Sequence, residues 1–295
     1  MSTNFPLISV VIPAYNSRRF ITETVESVLQ QLYSNFELII VDDGSTDGQE
    51  EYILPICKRD SRIRYVSKPN EGVSFARNVG YNHSSGLYVA FLDADDVWLK
   101  DNLMVKFLKF QTGDYGLVHS DALLIDEDSN LINGMMNGGE GSLLQDALQW
   151  TRTIVPGPSS ILVRREVLNA VGLFDTNLST SADHDFFLRV ASKYAIGHVP
   201  NPTWKYRLHE SNMHKKIELM EKDVLFLYKK ASDNKLFPNM WFERECYANM
   251  YLILGASWAG DGKNKFKGIL YAFLAIGNHP KAIFNIYSRV MKRWL

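Results

Sequence analysis

Cysteine is scarce in this chain, with only Cys57 and Cys246 among 295 residues. They lie far apart, in no metal-ligand or redox spacing. That excludes a thiolate metal cluster and fits a reducing compartment, although a lone pair leaves a disulfide open. A surplus of either charge is also missing. The 32 basic residues face 33 acidic ones, for a formal net charge of -1, so the global electrostatic case for nucleic acid fails. Long apolar runs are absent too: the stretch from Gly268 to Gly277 is too short to span a bilayer. Met1 to Pro6 carry no basic segment leading into an apolar one, so no signal peptide is expected and a cytoplasmic protein is. Gly (19) and Pro (10) are not in excess and 12% of the chain is aromatic, which excludes disorder as the main state. No internal repeat or low-complexity tract is present.

What the chain does have is 46% apolar residues over a length that fits one large domain, or a domain with an appendage. Its charge is unevenly placed. After Asp261 there are seven Lys or Arg and no acid, leaving 25 basic against 33 acidic residues before that point, or -8. The first hundred residues alternate strand and helix signals. Leu7 to Ile12 is a β-branched run stopped by Pro13, and reads as a buried parallel strand. Phe20 to Leu32 has helical apolar spacing, with Ser17 as its expected cap. Further strands are expected at Phe36 to Val41, Ile63 to Val66 and Leu87 to Leu92, with helices between them. This alternation predicts a doubly wound, mostly parallel sheet flanked by helices.

Beyond it, Gly116 to Ile132 reads as a strand pair turning at Asp126 to Asn130. Gly134 to Gly141, with four glycines, reads as a mobile loop. A strand at Ile161 to Val163 leads to helices at Arg165 to Val171 and Asp183 to Lys193. Ile196 to Leu208 reads as two short strands interrupted by Pro200 and Pro202. From about Lys215 the pattern is helical to the end, so residues 1–215 are expected as the main domain and 216–295 as a C-terminal helical extension.

A doubly wound sheet binds its ligands at the carboxyl ends of its strands. There the sequence places Tyr15-Asn16, then Asp42-Asp43, then Asp93-Ala94-Asp95-Asp96, so three strand ends deliver polar residues to one rim. Carboxylates one residue apart after a buried strand can hold a divalent cation whose remaining ligands are phosphate oxygens. No G-x-G-x-x-G turn follows the first strand; Pro13-Ala14-Tyr15-Asn16 stands in its place, which excludes a dinucleotide-binding dehydrogenase.

Taken together, the segments SVVIPAYN (Ser9 to Asn16), VDDGSTDG (Val41 to Gly48), NEGVSFARNVG (Asn70 to Gly80) and Asp93-Ala94-Asp95 resemble glycosyltransferase family 2. The resemblance covers about residues 7 to 209. It implies a GT-A fold and sugar transfer from a nucleotide-diphosphate donor. By that resemblance Tyr15 packs on the nucleobase and Asp43 accepts the uracil imide, with Pro13 in the same motif and Asp42 touching the nucleotide or bracing the turn. Arg77 lies near the nucleotide. Asp93 contacts the ribose or the sugar, beside Ala94, and Asp95 ligates Mn2+ or Mg2+. Asp96 reads as a cap for the following helix or as a further contact. Pro156 to Ser160 is similar to the loop that approaches the donor sugar, with Gly157 allowing close backbone approach.

The segment Ser181-Ala182-Asp183-His184-Asp185-Phe186 resembles the acidic motif that supplies the catalytic base. Asp183 keeps the base position. Ala182 replaces the usual first acid, which opens two alternatives: a role for Asp185 or His184, or a sugar-nucleotide-binding protein without turnover. Both aspartates also suit a helix N-terminus on electrostatic grounds alone. Tyr206-Arg207-Leu208-His209 resembles the closing motif in which a histidine reaches the metal or the diphosphate, which points to His209. The implied reaction is metal-assisted, in-line and inverting, onto a hydroxyl of a saccharide or lipid-linked acceptor.

Residues 281–295 carry a basic amphipathic pattern, with Ile283, Phe284, Ile286, Tyr287, Val290, Met291, Trp294 and Leu295 on about half the helical circumference. Such a helix can lie on an anionic membrane surface, or pack its stripe on the rest of the chain or on a second subunit.

Overall fold

A computed structural model describes residues 5–210, 217–260 and 262–282. The pattern of residues 281–295 therefore lies almost wholly outside the described residues. The chain forms two compact units. The first comprises residues up to 143, 153–177 and 189–210; the second comprises 144–152, 178–188 and the described residues from 217 onward.

The first unit is built on one nine-stranded sheet. Its early strands are β1 (Ile8–Ala14), β2 (Phe36–Asp43), β3 (Ile63–Lys68), β4 (Tyr88–Phe91) and the two-residue β5 (Val97–Trp98). The later ones are β6 (Tyr115–Ile125), β7 (Leu131–Met136), β8 (Ile161–Arg164) and β9 (Ala195–Arg207). The order is β3-β2-β1-β4-β8-β6-β9-β5, with β7 on β6. The long ladders β1–β2, β2–β3 and β6–β9 are parallel, as is β1–β4, and the short β8 runs antiparallel between the two parallel blocks.

Alternation along the central strands buries both faces. On one face Val10, Ile12, Leu38 and Ile40 join a core with Val25 and Val28 of α1 (Ile21–Leu29). On the other, Val11, Ile39 and Val41 meet Ala76 and Val79 of α3 (Val73–Asn82). Gly80 sets that second approach, because a Cβ there would fall 2.2 Å from Val11 Cγ1. Helices on both faces of a mostly parallel sheet are the doubly wound architecture that the alternating pattern predicts. Pro13 is tolerated in β1 because pairing with β4 ends at Val11, so its missing N–H orphans nothing on that side.

Three local expectations are corrected. Ser17 does not cap α1 through its side chain: its Oγ donates to Gln49 Oε1 at 2.7 Å, and its backbone carbonyl instead accepts from Phe20 and Ile21 N–H. Ile196 to Leu208 is not two strands but the single strand β9. Pro200 is absorbed where the register with β6 jumps from Ser120–Val199 to Asp121–Pro202, an irregularity that leaves a proline unpaired at no cost to the ladder. The glycine segment after β7 is tied down rather than loose. Gly139 N–H donates to Ile154 O, Gly141 bridges Ile196, and Gly138 lets His119 and the Ile154 carbonyl close in where a Cβ would sit at 2.4–2.5 Å.

The second unit contains α5 (Leu144–Gln149), the start of α7 (Ala182–Ala191), and α8 (Ile217–Asp233), α9 (Met240–Ala259) and α10 (Lys265–Asn278). The C-terminal helices are present as expected. Among the described residues, no helix is long and apolar enough to cross a membrane. Both cysteines are free thiols.

Candidate active site

The carboxyl ends of the adjacent strands β2, β1 and β4 form one rim of the first unit. At the β1 end, Tyr15 is 54% exposed. Asn16 stands at φ 49°, a left-handed conformation that asparagine tolerates. It is held by reciprocal bonds to the β2 loop: its N–H donates to Ser45 Oγ at 3.0 Å, and its Oδ1 accepts from Thr46 N–H at 2.9 Å.

At the β2 end both aspartates are buried. Asp42 accepts from Ser45 N–H at 2.8 Å and from the Tyr65 hydroxyl. Burial pushes its pKa up, but these donors outweigh burial and the carboxyl ends below its ordinary value. Asp42 thus braces the turn. Asp43 Oδ1 accepts from Lys68 Nζ (2.5 Å) and Glu71 N–H (3.0 Å), and Oδ2 from Gly72 N–H (2.8 Å). A carboxylate has about four acceptor positions, so one on Oδ2 is left by these three bonds. Gly44, at φ 74°, allows this turn to press against Asn70, whose N would lie 2.7 Å from a Cβ at residue 44.

At the β4 end, Arg77 from α3 bonds Asp93 at 2.6 Å, and Asp93 N–H donates to Ser159 Oγ at 3.0 Å. The Ala94 carbonyl accepts from Thr24 Oγ1. Asp95 Oδ2 lies 2.8 Å from His209 Nε2, so the two proposed metal ligands converge although 114 residues separate them. Among the described residues no group of three or more His, Cys, Asp or Glu is arranged to hold an ion. The donor set is therefore one carboxylate and one imidazole, which fits a hard divalent cation whose other ligands come from a diphosphate.

Asp96 caps no helix. It is buried, and accepts from Ser159 Oγ at 2.5 Å and from Arg207 N–H at 3.1 Å. Burial, then the charges of Asp95 and Asp93, push its pKa well up. Gly157 stands at φ 136° with open space where a Cβ would project.

Arg207 escaped the sequence reading as a site residue. Its side chain is wholly buried, and its guanidinium bonds the Asp95 carbonyl (2.7 Å), Ser129 Oγ (2.8 Å) and Glu23 (2.6 Å). From two residues before His209, it fixes the backbone of Asp95. The motif Tyr206 to His209 contains it, but nothing in that pattern assigns it a role of its own.

In the second unit, the segment 179–181 that opens α7 is held by a single side chain. Asp223 Oδ2 on α8 accepts from the backbone N–H groups of Ser179 (2.9 Å), Thr180 (2.7 Å) and Ser181 (3.3 Å). Three backbone donors in the segment leading into α7 are satisfied by one buried carboxylate, so Asp223 supports the segment carrying Asp183. Asp183 is half-buried, and its Oδ1 accepts from His184 N–H at 2.7 Å. Asp185 is buried and ion-paired with Lys230 at 2.9 Å. His184 lies against Trp150, with ring centroids 4.8 Å apart, and donates from Nε2 to the Ala147 carbonyl at 3.1 Å. Burial lowers its pKa to about 4.

His119 on β6 behaves alike in the first unit. It stacks on its β9 partner His198 at 4.7 Å and donates from Nε2 to Gly139 O, and burial lowers its pKa to about 3. Both imidazoles stay neutral in the folded chain while the unfolded chain protonates near pH 6.5. Their stabilisation is complete above that pH and is lost as pH falls through 6.5 toward the folded values. Each histidine should cost about 1.4 kcal/mol per pH unit in that window. Denaturant unfolding at pH 7 and pH 5 should show the loss, and His119→Asn should shrink it.

The model of the family described as "Glycosyl transferase family 2" matches residues 9–172. The chain belongs to glycosyltransferase family 2. A Bacillus subtilis (strain 168) protein, provisionally named teichuronic acid biosynthesis glycosyltransferase TuaG, is 31% identical over 238 residues, covering 80% of this chain and 92% of its own length. An uncharacterized glycosyltransferase of Rickettsia felis is 35% identical over 202 residues, 68% of this chain; the match spans only 33% of that relative's length. Among solved structures, S. aureus TarS 1–349 in complex with UDP-GlcNAc superposes with a TM-score of 0.66 at 18% identity, covering 96% of this chain and 84% of that one. The mannosyltransferase PcManGT from Pyrobaculum calidifontis, in complex with GDP-Man and Mn2+, gives 0.60 at 18%, covering 98% and 86%. At such identity these structures speak for the fold, which is the expected GT-A glycosyltransferase architecture.

Proposed function

We propose that the protein transfers a sugar from a nucleotide-diphosphate donor, a UDP-sugar, to a hydroxyl of a saccharide or lipid-linked acceptor, with inversion. The observation that carries this reading is the convergence of Asp95 and His209 beside the rim that also bears Tyr15, Asp43 and Arg77. Tyr15 offers an exposed ring for base stacking. The remaining acceptor position on Asp43 suits the imide N–H of uracil, and dTDP would satisfy the same contact. Arg77 orients Asp93 toward the ribose or sugar, and Gly157 lets the donor approach backbone. Asp95 and His209 would hold Mn2+ or Mg2+, which supplies Lewis-acid stabilisation of the leaving diphosphate when bound.

Asp183 takes the proton of the acceptor hydroxyl as it attacks the anomeric carbon, while the bond to the diphosphate oxygen breaks. The half-buried position of Asp183, against the ion-paired Asp185 and the neutral His184, supports that choice. A single in-line displacement inverts the anomeric centre, and no covalent enzyme intermediate is required.

Calorimetric titration with UDP and CDP tests the nucleotide assignment. Cytosine presents a lone pair where uracil presents the imide N–H, so the wild type should bind UDP at least tenfold better, about 1.4 kcal/mol. Asp43→Ala should abolish that preference. It should also lower stability by about 1–3 kcal/mol, since Glu71 and Gly72 N–H lose their acceptor. Equal binding of UDP and CDP by a folded wild type would remove Asp43 from base recognition.

A further inference from the structure

The helix α10 is packed inside out. Its small residues face the protein: Gly268 and Ala275 are buried with Tyr271, and a Cβ on Gly268 would lie 3.0 Å from both Gly255 O and Ala259 Cβ of α9. Its large apolar residues face water. Phe266 is 78% exposed and Phe273 69%, with Ile269, Leu270 and Leu274 exposed between and beside them. The spacing i, i+3, i+4, i+7, i+8 makes these five one continuous stripe rather than scattered surface residues.

Near the far end of α10 stands Trp241, 70% exposed at the start of α9. Arg244 joins the two: its guanidinium lies 5.8 Å from the Trp241 ring centroid and donates to the Asn278 and Gly277 carbonyls. Charge of one sign frames the stripe. Lys263 precedes it and Lys281 follows, both exposed, and no acid occurs between them in the chain. Lys267 is engaged with Glu221 of α8 at 3.0 Å, and Glu243, near Trp241 in sequence, accepts from Ser232 Oγ.

We propose that this face of α10, with Trp241, docks on an anionic phospholipid bilayer. An apolar stripe with an aromatic at its edge and lysines at both ends matches the requirements of an interfacial helix: acyl chains receive the Phe and Leu side chains, and the lysines meet lipid phosphates. A second copy of the chain is a poorer occupant. A two-fold contact would bring the same lysines together with no acid on the stripe to offset them. The inference stands apart from the sugar-transfer reading.

Flotation with phosphatidylcholine vesicles, with and without about 30% phosphatidylglycerol, tests it on the full chain, alongside light-scattering mass. The wild type should float with the anionic vesicles and not with the neutral ones. Phe266→Glu with Phe273→Glu should weaken binding by at least about tenfold at unchanged melting temperature. Lys263→Gln and Lys281→Gln together should weaken it several-fold, as should high salt. Absence of wild-type binding would overturn the proposal. So would wild-type-like binding by the double Phe variant, including the case in which only removal of residues 283–295 abolishes it. A wild-type dimer that the Phe variant converts to monomer, with no vesicle binding, would assign the stripe to a second copy instead.

Discussion

Asp183→Asn is expected to lower sugar transfer by about 10²–10⁴-fold and to leave nucleotide affinity nearly unchanged. That is the range by which a positioned general base assists a weak hydroxyl nucleophile. Asparagine keeps the size of the side chain and an acceptor for the His184 N–H bond at 2.7 Å, so the fold of the segment should survive and the loss should lie in turnover. The neighbours make the test selective. Asp185 is buried against the partly exposed Lys230, and Asp185→Asn should therefore act mainly on stability, by weakening an ion pair that holds a buried carboxylate. His184 is neutral at pH 7 and anchored to Ala147. If transfer survives Asp183→Asn and fails in either neighbour, the base has been assigned to the wrong residue. Asp223→Ala should damage both stability and turnover, because it frees three N–H groups in the segment leading into α7.

The second large effect is expected at Asp95. Lewis-acid stabilisation of a departing diphosphate is worth several kcal/mol, so Asp95→Ala should cost about 10²-fold or more in transfer at about 1.4 kcal/mol per tenfold. His209→Ala should cost less, about 10–100-fold, with weaker Mn2+ binding. Chelation should reproduce the Asp95→Ala loss in the wild type, and added Mn2+ or Mg2+ should reverse it there and not in the variant. Transfer that is indifferent to chelator would contradict the ligand assignment. Arg207→Lys offers a check on positioning. Lysine cannot reproduce the fork that holds the Asp95 carbonyl, Ser129 and Glu23 together, so the metal requirement should shift to higher concentration at unchanged donor specificity.

The strands β1, β2 and β4 were legible because each is a short apolar run ended by a polar cluster, and the fold puts those clusters on one rim. Asp42, Asp43, Asp93 and Asp95 could be singled out for the same reason: acids directly after a buried strand are conspicuous in one dimension. What the sequence hid is of another kind. Asp223 and Arg207 work across 42–44 and 78–184 residues, and nothing in their neighbourhoods announces a distant partner. The helix α4 (Asn102–Phe110) and the two-residue β5 went unassigned, the latter because two residues carry no period. Pro200 and Pro202 read as breaks because proline removes a ladder donor, yet β9 survives them by shifting register on β6. Ser17 looked like a cap by type and place, but Gln49 had the stronger claim on its hydroxyl.

The central claim is turnover of a nucleotide sugar, and release of nucleoside diphosphate from a panel of UDP-, dTDP- and GDP-sugars tests it most directly. The panel is run with Mn2+, with and without a saccharide and lipid extract as acceptor. The account predicts release from a UDP-sugar, increased by acceptor and abolished by chelator. Tight UDP binding with no release from any donor, even with acceptor present, would contradict it and leave a sugar-nucleotide-binding protein without turnover.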